Sequence, residues 1–248
     1  MILLRSALFI LFLWLWTVAM TLLYTPLLVL PRRWTVLAAR FWIRGALIGL
    51  KLLTGLGWEV RGREHLPAGG MIIASKHQST FETFAMHLMF DDPAYVLKRE
   101  LLWIPCFGWY LFKSGVIAID RSAGTRALKT MVKGAETAAA EGRPIVIFPE
   151  GTRAAPGTKR PYHSGVAMLY GALGLPVVPI ALNSGVFWGR GALRKYPGTL
   201  TIEILPPIPP GLDRRAFMAE LEQRIETASD RLVVEARHAL SEQGITAA

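Results

Sequence analysis

A mixed α/β sheet covered by helices, preceded by a membrane-embedded pair of helices, is the fold class this sequence predicts. Three features lead there. The run Ala7–Leu30, ALFILFLWLWTVAMTLLYTPLLVL, carries no charged residue. From Trp58 onward short β-rich runs alternate with helix-like stretches, the texture of a parallel or mixed sheet with helical connections. A long amphipathic stretch, 214–240, closes the chain behind the proline-rich linker PPIPP at 206–210. The domain division is therefore expected at 57/58, with 1–57 as a membrane-anchoring helical pair and 58–248 as the α/β domain.

About 20 apolar residues span a hydrocarbon core, so the first run is long enough to cross one. It is too long for a signal-peptide core and lacks a small-residue cleavage site, which favours a retained anchor. The next stretch, RRWTVLAARFWIRGALIGLKLLTGLGW, has a different pattern. Arg33, Arg40, Arg44 and Lys51 fall within an arc of roughly 40° on one helix face. Trp34, Leu37, Phe41, Trp42, Leu47, Ile48 and Leu52 occupy the other faces. This predicts an interfacial helix whose cations reach anionic headgroups. Pro26 and Pro31, with Arg32 and Arg33, predict a bend between the two segments.

In the α/β part the predicted strands are WEVRG, MIIAS, AYVLK, VIAID, PIVIFPE, PVVPIALN and TLTIEIL, with helices over 79–90, 122–141 and 164–173. Chemistry in such sheets collects beyond the carboxyl ends of the strands. The loops after Ser75, Lys98, Asp120 and Phe148 are the candidates.

Composition narrows the function classes. The 248 residues suffice for one substantial α/β domain and something smaller. With 52% hydrophobic residues and a mean hydropathy of +0.35, the chain is apolar for a soluble protein, yet Lys+Arg outnumber Asp+Glu by 28 to 18. Anionic lipid or an acidic substrate fits that balance; nucleic acid does not, because no recognition motif or long basic run is present. Cys106 is the sole cysteine, which excludes an internal disulfide and a cysteine-based metal cluster. No His/Asp/Glu group has metal-ligand spacing, so neither metal nor cofactor is expected.

The segment SKHQSTFETF, 75–84, follows the strand MIIAS and opens a helix. Ser79-x-x-Glu82 is a capping-box pattern, in which the glutamate reaches back to the cap's backbone N–H. Glu82 can instead orient the imidazole of His77, holding one nitrogen and leaving the other to accept a proton. On one continuous helix the two would lie about 140° apart, so they meet only with His77 in the loop and Glu82 on the helix. Ser79 is better placed as a cap than as a nucleophile, which points to a general base acting on a substrate hydroxyl. His87, in mid-helix, and His163, in a loop, are not expected to act chemically. LLWIPCFGWYLF, 101–112, is apolar enough to line a channel for an apolar chain, to touch a membrane or to pack a core.

At this point the sequence resembles the 1-acylglycerol-3-phosphate acyltransferase family of glycerolipid acyltransferases. His77-Gln78-Ser79-Thr80-Phe81-Glu82 is similar to its His-x4-Asp signature, with Glu82 where aspartate is usual. Residues 98–121 resemble the second block of the family, FPEGTR (148–153) the third and VVPIAL (177–182) the fourth. The resemblance implies acyl transfer from acyl-CoA or acyl-ACP to a lysophospholipid hydroxyl, with His77 and Glu82 as the catalytic pair. It assigns Glu150, Gly151, Thr152 and Arg153 to the glycerol-phosphate acceptor, and Lys98 and Arg121 are expected there ahead of Arg99. Arg153 would offer its planar fork to the phosphate. Implied partners are the lysophospholipid, the acyl thioester, acyl carrier protein and membrane lipid, at the cytoplasmic membrane with the site facing the cytoplasm. Other acceptors (glycerol 3-phosphate, a lyso-aminolipid), thioester hydrolysis and non-enzymatic lipid binding are the alternatives.

Overall fold

A computed structural model of the chain describes residues 1–245. Seven strands form one sheet: β1 (Leu56–Arg61), β2 (Ile72–Ser75), β3 (Ala94–Lys98), β4 (Ile117–Ile119), β5 (Ile145–Ile147), β6 (Val177–Leu182) and β7 (Gly198–Ile204). All seven lie where the β-rich runs predict them. Their order is β1-β7-β6-β2-β5-β3-β4. Every pairing is parallel except β6 with β7, which is antiparallel, so the sheet is mixed as expected. β2, β5 and β6 are buried along their whole length, which is why they read as continuous apolar runs rather than alternating ones.

The helices are α1 (Ile2–Tyr24), α2 (Arg32–Thr54), α3 (Phe81–Met89), α4 (Phe107–Lys113), α5 (Thr125–Ala140), α6 (Gly165–Leu173), α7 (Ser184–Phe187) and α8 (Arg214–Glu242). One sheet face is covered by α2 and α3 through Ile43, Leu47, Leu50, Phe81, Ala85 and Met86. The other is covered by α5, α6 and the first half of α8 through Met131, Ala135, Leu169, Phe217, Leu221 and Ile225. At 29 residues, α8 is long enough to continue past this layer, so its later residues Val233, Ala236 and Leu240 join the first cluster.

The helical pair belongs to the same packed body as the sheet. Phe9 of α1 and Ile43, Leu47 and Leu50 of α2 are buried in the core that contains Val178, Ile180 and Ile202 of the sheet. The expected 57/58 division thus falls inside β1, and the two sides of it share one core. Ionic contacts hold the other end of α2 to the domain. Arg32 pairs with Asp92 at 2.9 Å and Glu141 at 3.1 Å, and buried Arg143 joins the group through Asp92 at 3.3 Å. Arg40, expected in the lipid-facing cationic stripe, reaches Asp91 at 3.1 Å instead, because α2 lies against the chain entering β3. Arg33, Arg44 and Lys51 remain exposed.

Both ends of α1 are also tied to the domain. Arg5 Nε donates to the carbonyl of Leu53 at 2.8 Å, and the Lys195 N–H donates to Ser6 Oγ at 2.8 Å. At the far end, Tyr110 Oη donates to the Thr21 carbonyl at 2.9 Å. A helix anchored at both ends to one body lies along it. Ile2–Val29 is long and apolar enough to cross a membrane, and only 11% of its most apolar window is buried. The outward surface carries Leu11, Trp14, Leu15 and Leu22 from α1, with Trp34, Phe41 and Ile48 from α2. It continues through α4 and the turn before it, where Trp103, Trp109 and Phe112 are 66%, 56% and 76% exposed. The apolar run 101–112 is therefore largely a surface feature and not core, and contiguous apolar surface of this kind marks a membrane or partner contact.

His87 sits on α3 with its ring tilted against Tyr95 at 4.6 Å. Burial, with the nearby positive charges of Arg40 and Arg143 adding, lowers its pKa from 6.5 to about 4. Between those two values the unfolded chain takes up a proton that the folded protein refuses. Stability therefore falls as pH drops through that window, by up to about 3 kcal/mol for this group. Thermal midpoints measured in detergent at about pH 7.5 and about pH 4.5 should fall less in His87→Gln than in the wild type. An equal fall would remove His87 from the acid response.

Candidate active site

β2 and β5 are parallel neighbours, so the loops that leave their carboxyl ends emerge side by side. The β2 loop carries His77 and the β5 loop carries residues 148–154. Backbone bonds lock the loops together: the Ala154 N–H donates to the His77 carbonyl at 2.8 Å, and the His77 N–H donates to Glu150 Oε2 at 3.0 Å. The main chain of His77 is thus held at both its donor and its acceptor by the neighbouring loop.

Its side chain is held from the other direction. Nδ1–H donates to Glu82 Oε1 at 2.8 Å, and the ring stacks on Phe148 with centroids 4.1 Å apart. Glu82 is fully buried. Its Oε1 also accepts from the backbone N–H groups of Gln78 and Ser79, both at 2.6 Å, and its Oε2 accepts from Ser184 Oγ at 2.8 Å. The glutamate therefore closes the helix start and orients the histidine at once. The cap is shifted from the simple box: α3 begins at Phe81, and Ser79 Oγ accepts from the Phe81 N–H at 3.2 Å. With His77 in the loop and Glu82 in the first turn, the longer side chain reaches the imidazole at hydrogen-bond distance. A carboxylate accepting at Nδ1 assigns the proton to that nitrogen and leaves the Nε2 lone pair outward, which can take a proton from a bound hydroxyl. Among the described residues nothing hydrogen-bonds Nε2.

The 148–154 loop presents a different chemistry. Gly151 has φ +65°, and a Cβ there would fall 2.8 Å from the His163 ring, so glycine is required both for conformation and for space. The backbone N–H of His163 donates to the Pro149 carbonyl at 2.9 Å, which holds the His163 main chain beside the loop. Arg121 Nη1 donates to the Gly151 carbonyl at 2.6 Å, so the structure brings Arg121 to the loop. Thr152 and Arg153 are half-buried there, and Arg153 makes no hydrogen bond or ion pair among the described residues. Its guanidinium is free to bind an anion bidentately.

Two expected acceptor residues stand apart. Glu150 is buried and turned inward: Oε1 takes Lys76 Nζ at 2.8 Å and Oε2 takes the His77 N–H, so its carboxylate braces the loop from behind. Lys98 is exposed and pairs with Glu100 at 3.4 Å, while Arg99 pairs with Asp120 at 2.9 Å. Neither cation contacts His77 or the 148–154 loop among the described residues.

Sequence reasoning missed Lys76, Phe148, Ser184 and Glu226. A lysine one residue before His77, at the end of an apolar strand, was a visible signal. Ser184 and Glu226 had none, because they lie 102 and 150 residues from their partners. Gln78 was quoted as part of the signature without a role; its side-chain oxygen accepts from the Gly185 N–H at 3.0 Å and helps fix α7.

Four donors converge on one buried carboxylate, which sets a stability test. Glu82→Ala should cost about 3 kcal/mol by stranding buried donors. Glu82→Gln keeps an oxygen for the three N–H donors and turns an amide toward Ser184 Oγ, so its loss should be about a third as large. Thermal midpoints of the two variants decide this; equal losses would show that charge, not donor satisfaction, holds the site.

Comparisons with known proteins agree with this geometry. The family model described as Acyltransferase matches residues 57–183, which include both loops. The 1-acyl-sn-glycerol-3-phosphate acyltransferase of Pseudomonas aeruginosa is 42% identical over 185 residues, covering 75% of this chain and 72% of that protein. The human 1-acyl-sn-glycerol-3-phosphate acyltransferase alpha is 32% identical over 170 residues, covering 67% of this chain and 60% of that protein. Among solved structures, the 1-acyl-sn-glycerophosphate (LPA) acyltransferase of Thermotoga maritima superposes with a TM-score of 0.76 over 94% of this chain and 98% of that one. At 20% identity, that likeness speaks for the fold alone. With the family match spanning half of the chain and a 42% identical relative spanning three quarters of it, this chain belongs to the acyltransferase family.

Proposed function

We propose that this protein transfers a fatty acyl group from an acyl thioester, acyl-CoA or acyl-ACP, to the sn-2 hydroxyl of 1-acylglycerol 3-phosphate, giving phosphatidic acid. The observation that carries the reading is the imidazole of His77. Its Nδ1 is held at 2.8 Å by buried Glu82, and its Nε2 is left open beside the loop that presents Arg153. The names of the relatives supply the acceptor class.

In this mechanism Nε2 removes the proton of the sn-2 hydroxyl as its oxygen attacks the thioester carbonyl. Glu82 stabilises the imidazolium that forms, and the collapsing tetrahedral intermediate expels the thiolate, which takes the proton back from Nε2. General-base help of this type contributes about 10²–10⁴-fold. No serine or cysteine nucleophile is required, since the acceptor hydroxyl attacks the thioester directly; Ser79 Oγ serves as a cap, accepting from the Phe81 N–H. Arg153, assisted by Arg121, binds the acceptor phosphate and sets which hydroxyl faces His77; Thr152 and the N–H groups around Gly151 complete that subsite. Lys98 lies at the rim and contributes long-range attraction to the anionic acceptor. The apolar face of α1, α2 and α4 beds the protein in the cytoplasmic leaflet of the inner membrane, with α1 lying in the plane of the interface. The site then opens toward the cytoplasm, where the thioester is soluble and both lipids are within reach.

The test uses purified wild-type, His77→Ala and Arg153→Ala proteins in detergent, with labelled acyl thioesters on both carriers. The wild type should form labelled phosphatidic acid from 1-acylglycerol 3-phosphate, and His77→Ala should lose at least about 10²-fold in kcat. Arg153→Ala should raise KM for that acceptor about tenfold or more. Release of free fatty acid without acceptor would make the protein a hydrolase. Product from a lyso-aminolipid, unaffected by Arg153→Ala, would move the acceptor class.

A further inference from the structure

β2 places alternate side chains on opposite sheet faces. Ile72 and Ala74 pack in the core beneath α8, whereas Ile73 packs in the core beneath α3. The Lys76 N–H donates to the Ile180 carbonyl at 2.9 Å, extending that alternation by one step. Lys76 therefore points to the α8 side, while its neighbour His77 turns to Glu82 on the α3 side.

Lys76 is almost completely buried, with a side-chain exposure of 2%. Its ammonium donates to Glu150 Oε1 at 2.8 Å and to both oxygens of Glu226 at 2.7 and 2.9 Å. Tyr162 Oη donates to Glu226 Oε1 at 2.9 Å. Two carboxylates thus share one ammonium in the protein interior, and one of them, Glu226, also accepts from a phenol. Burial raises the pKa of Glu150, against the pull of Lys76, and burial raises that of Tyr162 well above its ordinary range. Desolvating such groups is costly, and a buried ionic cluster is commonly no more stabilising than apolar side chains of the same volume. Stability alone does not explain this cluster one residue from the reacting histidine.

Its outlet is specific. Glu150 uses one oxygen on Lys76 and the other on the His77 N–H, and it belongs to the loop that carries Arg153. We propose that Lys76 and Glu226 are positioning residues for acyl transfer: through Glu150 they hold the His77 main chain and the 148–154 loop in one register, so that base and phosphate site stay aligned. This rests on the acyl-transfer function proposed above. Without Lys76, Glu150 and Glu226 face each other with no cation between them; one must take up a proton or move, and either changes the acceptor available to the His77 N–H.

The test compares wild type, Lys76→Met, Glu226→Gln, Glu150→Gln and the double variant Lys76→Met/Glu150→Gln, all as full chains in detergent. Lys76→Met should lower kcat about tenfold or more while KM for both substrates stays within about twofold. If Lys76 acts through Glu150, the double variant should match Glu150→Gln within about twofold, whereas independent roles would multiply. Glu226→Gln is isosteric and removes the surplus charge. Its thermal midpoint should equal or exceed that of the wild type while kcat falls about threefold or more, a combination a purely structural residue does not give. Should Lys76→Met fail to fold, Glu226→Gln decides. Wild-type kcat in Glu226→Gln, or multiplicative losses in the double variant, would overturn the positioning role while phosphatidic acid formation by the wild type upheld the acyl-transfer function. A wild type that forms no phosphatidic acid would overturn both.

Discussion

The carboxylate of Glu82 is the point on which the site depends. A buried carboxylate is tolerable only when its lone pairs are filled, and here four donors fill them: the imidazole, two backbone N–H groups and a serine hydroxyl. The four donors serve three different structural tasks. The backbone groups belong to the start of α3, the imidazole to the β2 loop, and Ser184 to the first residue of α7, just beyond β6. Satisfying one group therefore sets the helix start, the tautomer of His77 and the position of a third loop together.

The sheet order makes this convergence possible. Because β2 lies between β6 and β5, three strand ends meet around His77 without any long excursion of the chain. α3 closes the site from one face. On the other, the Lys76–Glu150–Glu226 cluster ties the same loop to α8. His77 is consequently restrained at its main chain, at Nδ1 and across its ring, with only Nε2 directed outward. Preorganisation of that kind is what a proton acceptor needs, since motion of the base relative to the hydroxyl would erode the rate.

The N-terminal helices solve a related problem. A helix that is apolar on all sides must be surrounded by protein or by lipid, and α1 is mostly bare. Its ends are nevertheless fastened to the domain through Arg5, Ser6 and Thr21, and α2 forms part of the roof over the sheet. The apolar surface and the candidate site are therefore parts of one packed body, so a lipid contact made by that surface would hold the site at a fixed height above it. Arg40 shows the compromise: its position on the helix wheel suits a headgroup, but the proximity of Asp91 captures it.

Much of this was legible in the sequence. All seven strands and the main helices were readable because their cause is local: β-rich apolar runs, helical periodicity, and prolines or glycines between them. The pairing of His77 with Glu82 could be anticipated because five residues of strand, loop and first turn allow few geometries. Tertiary structure alone decided the remainder. It turned Glu150 inward, because the partner that draws it, Lys76, is itself clamped by Glu226 on a helix 150 residues later in the chain. It sent Arg121 to the Gly151 carbonyl and left Lys98 beside Glu100, a choice of partner that depends on where the 148–154 loop lies. It also merged the anchor with the domain, because the buried stripe of α2 is recognisable as core only when the sheet face it covers is in place. Hydrophobic period and short-range hydrogen bonding are written along the chain; which buried charges face one another is set by packing between distant segments.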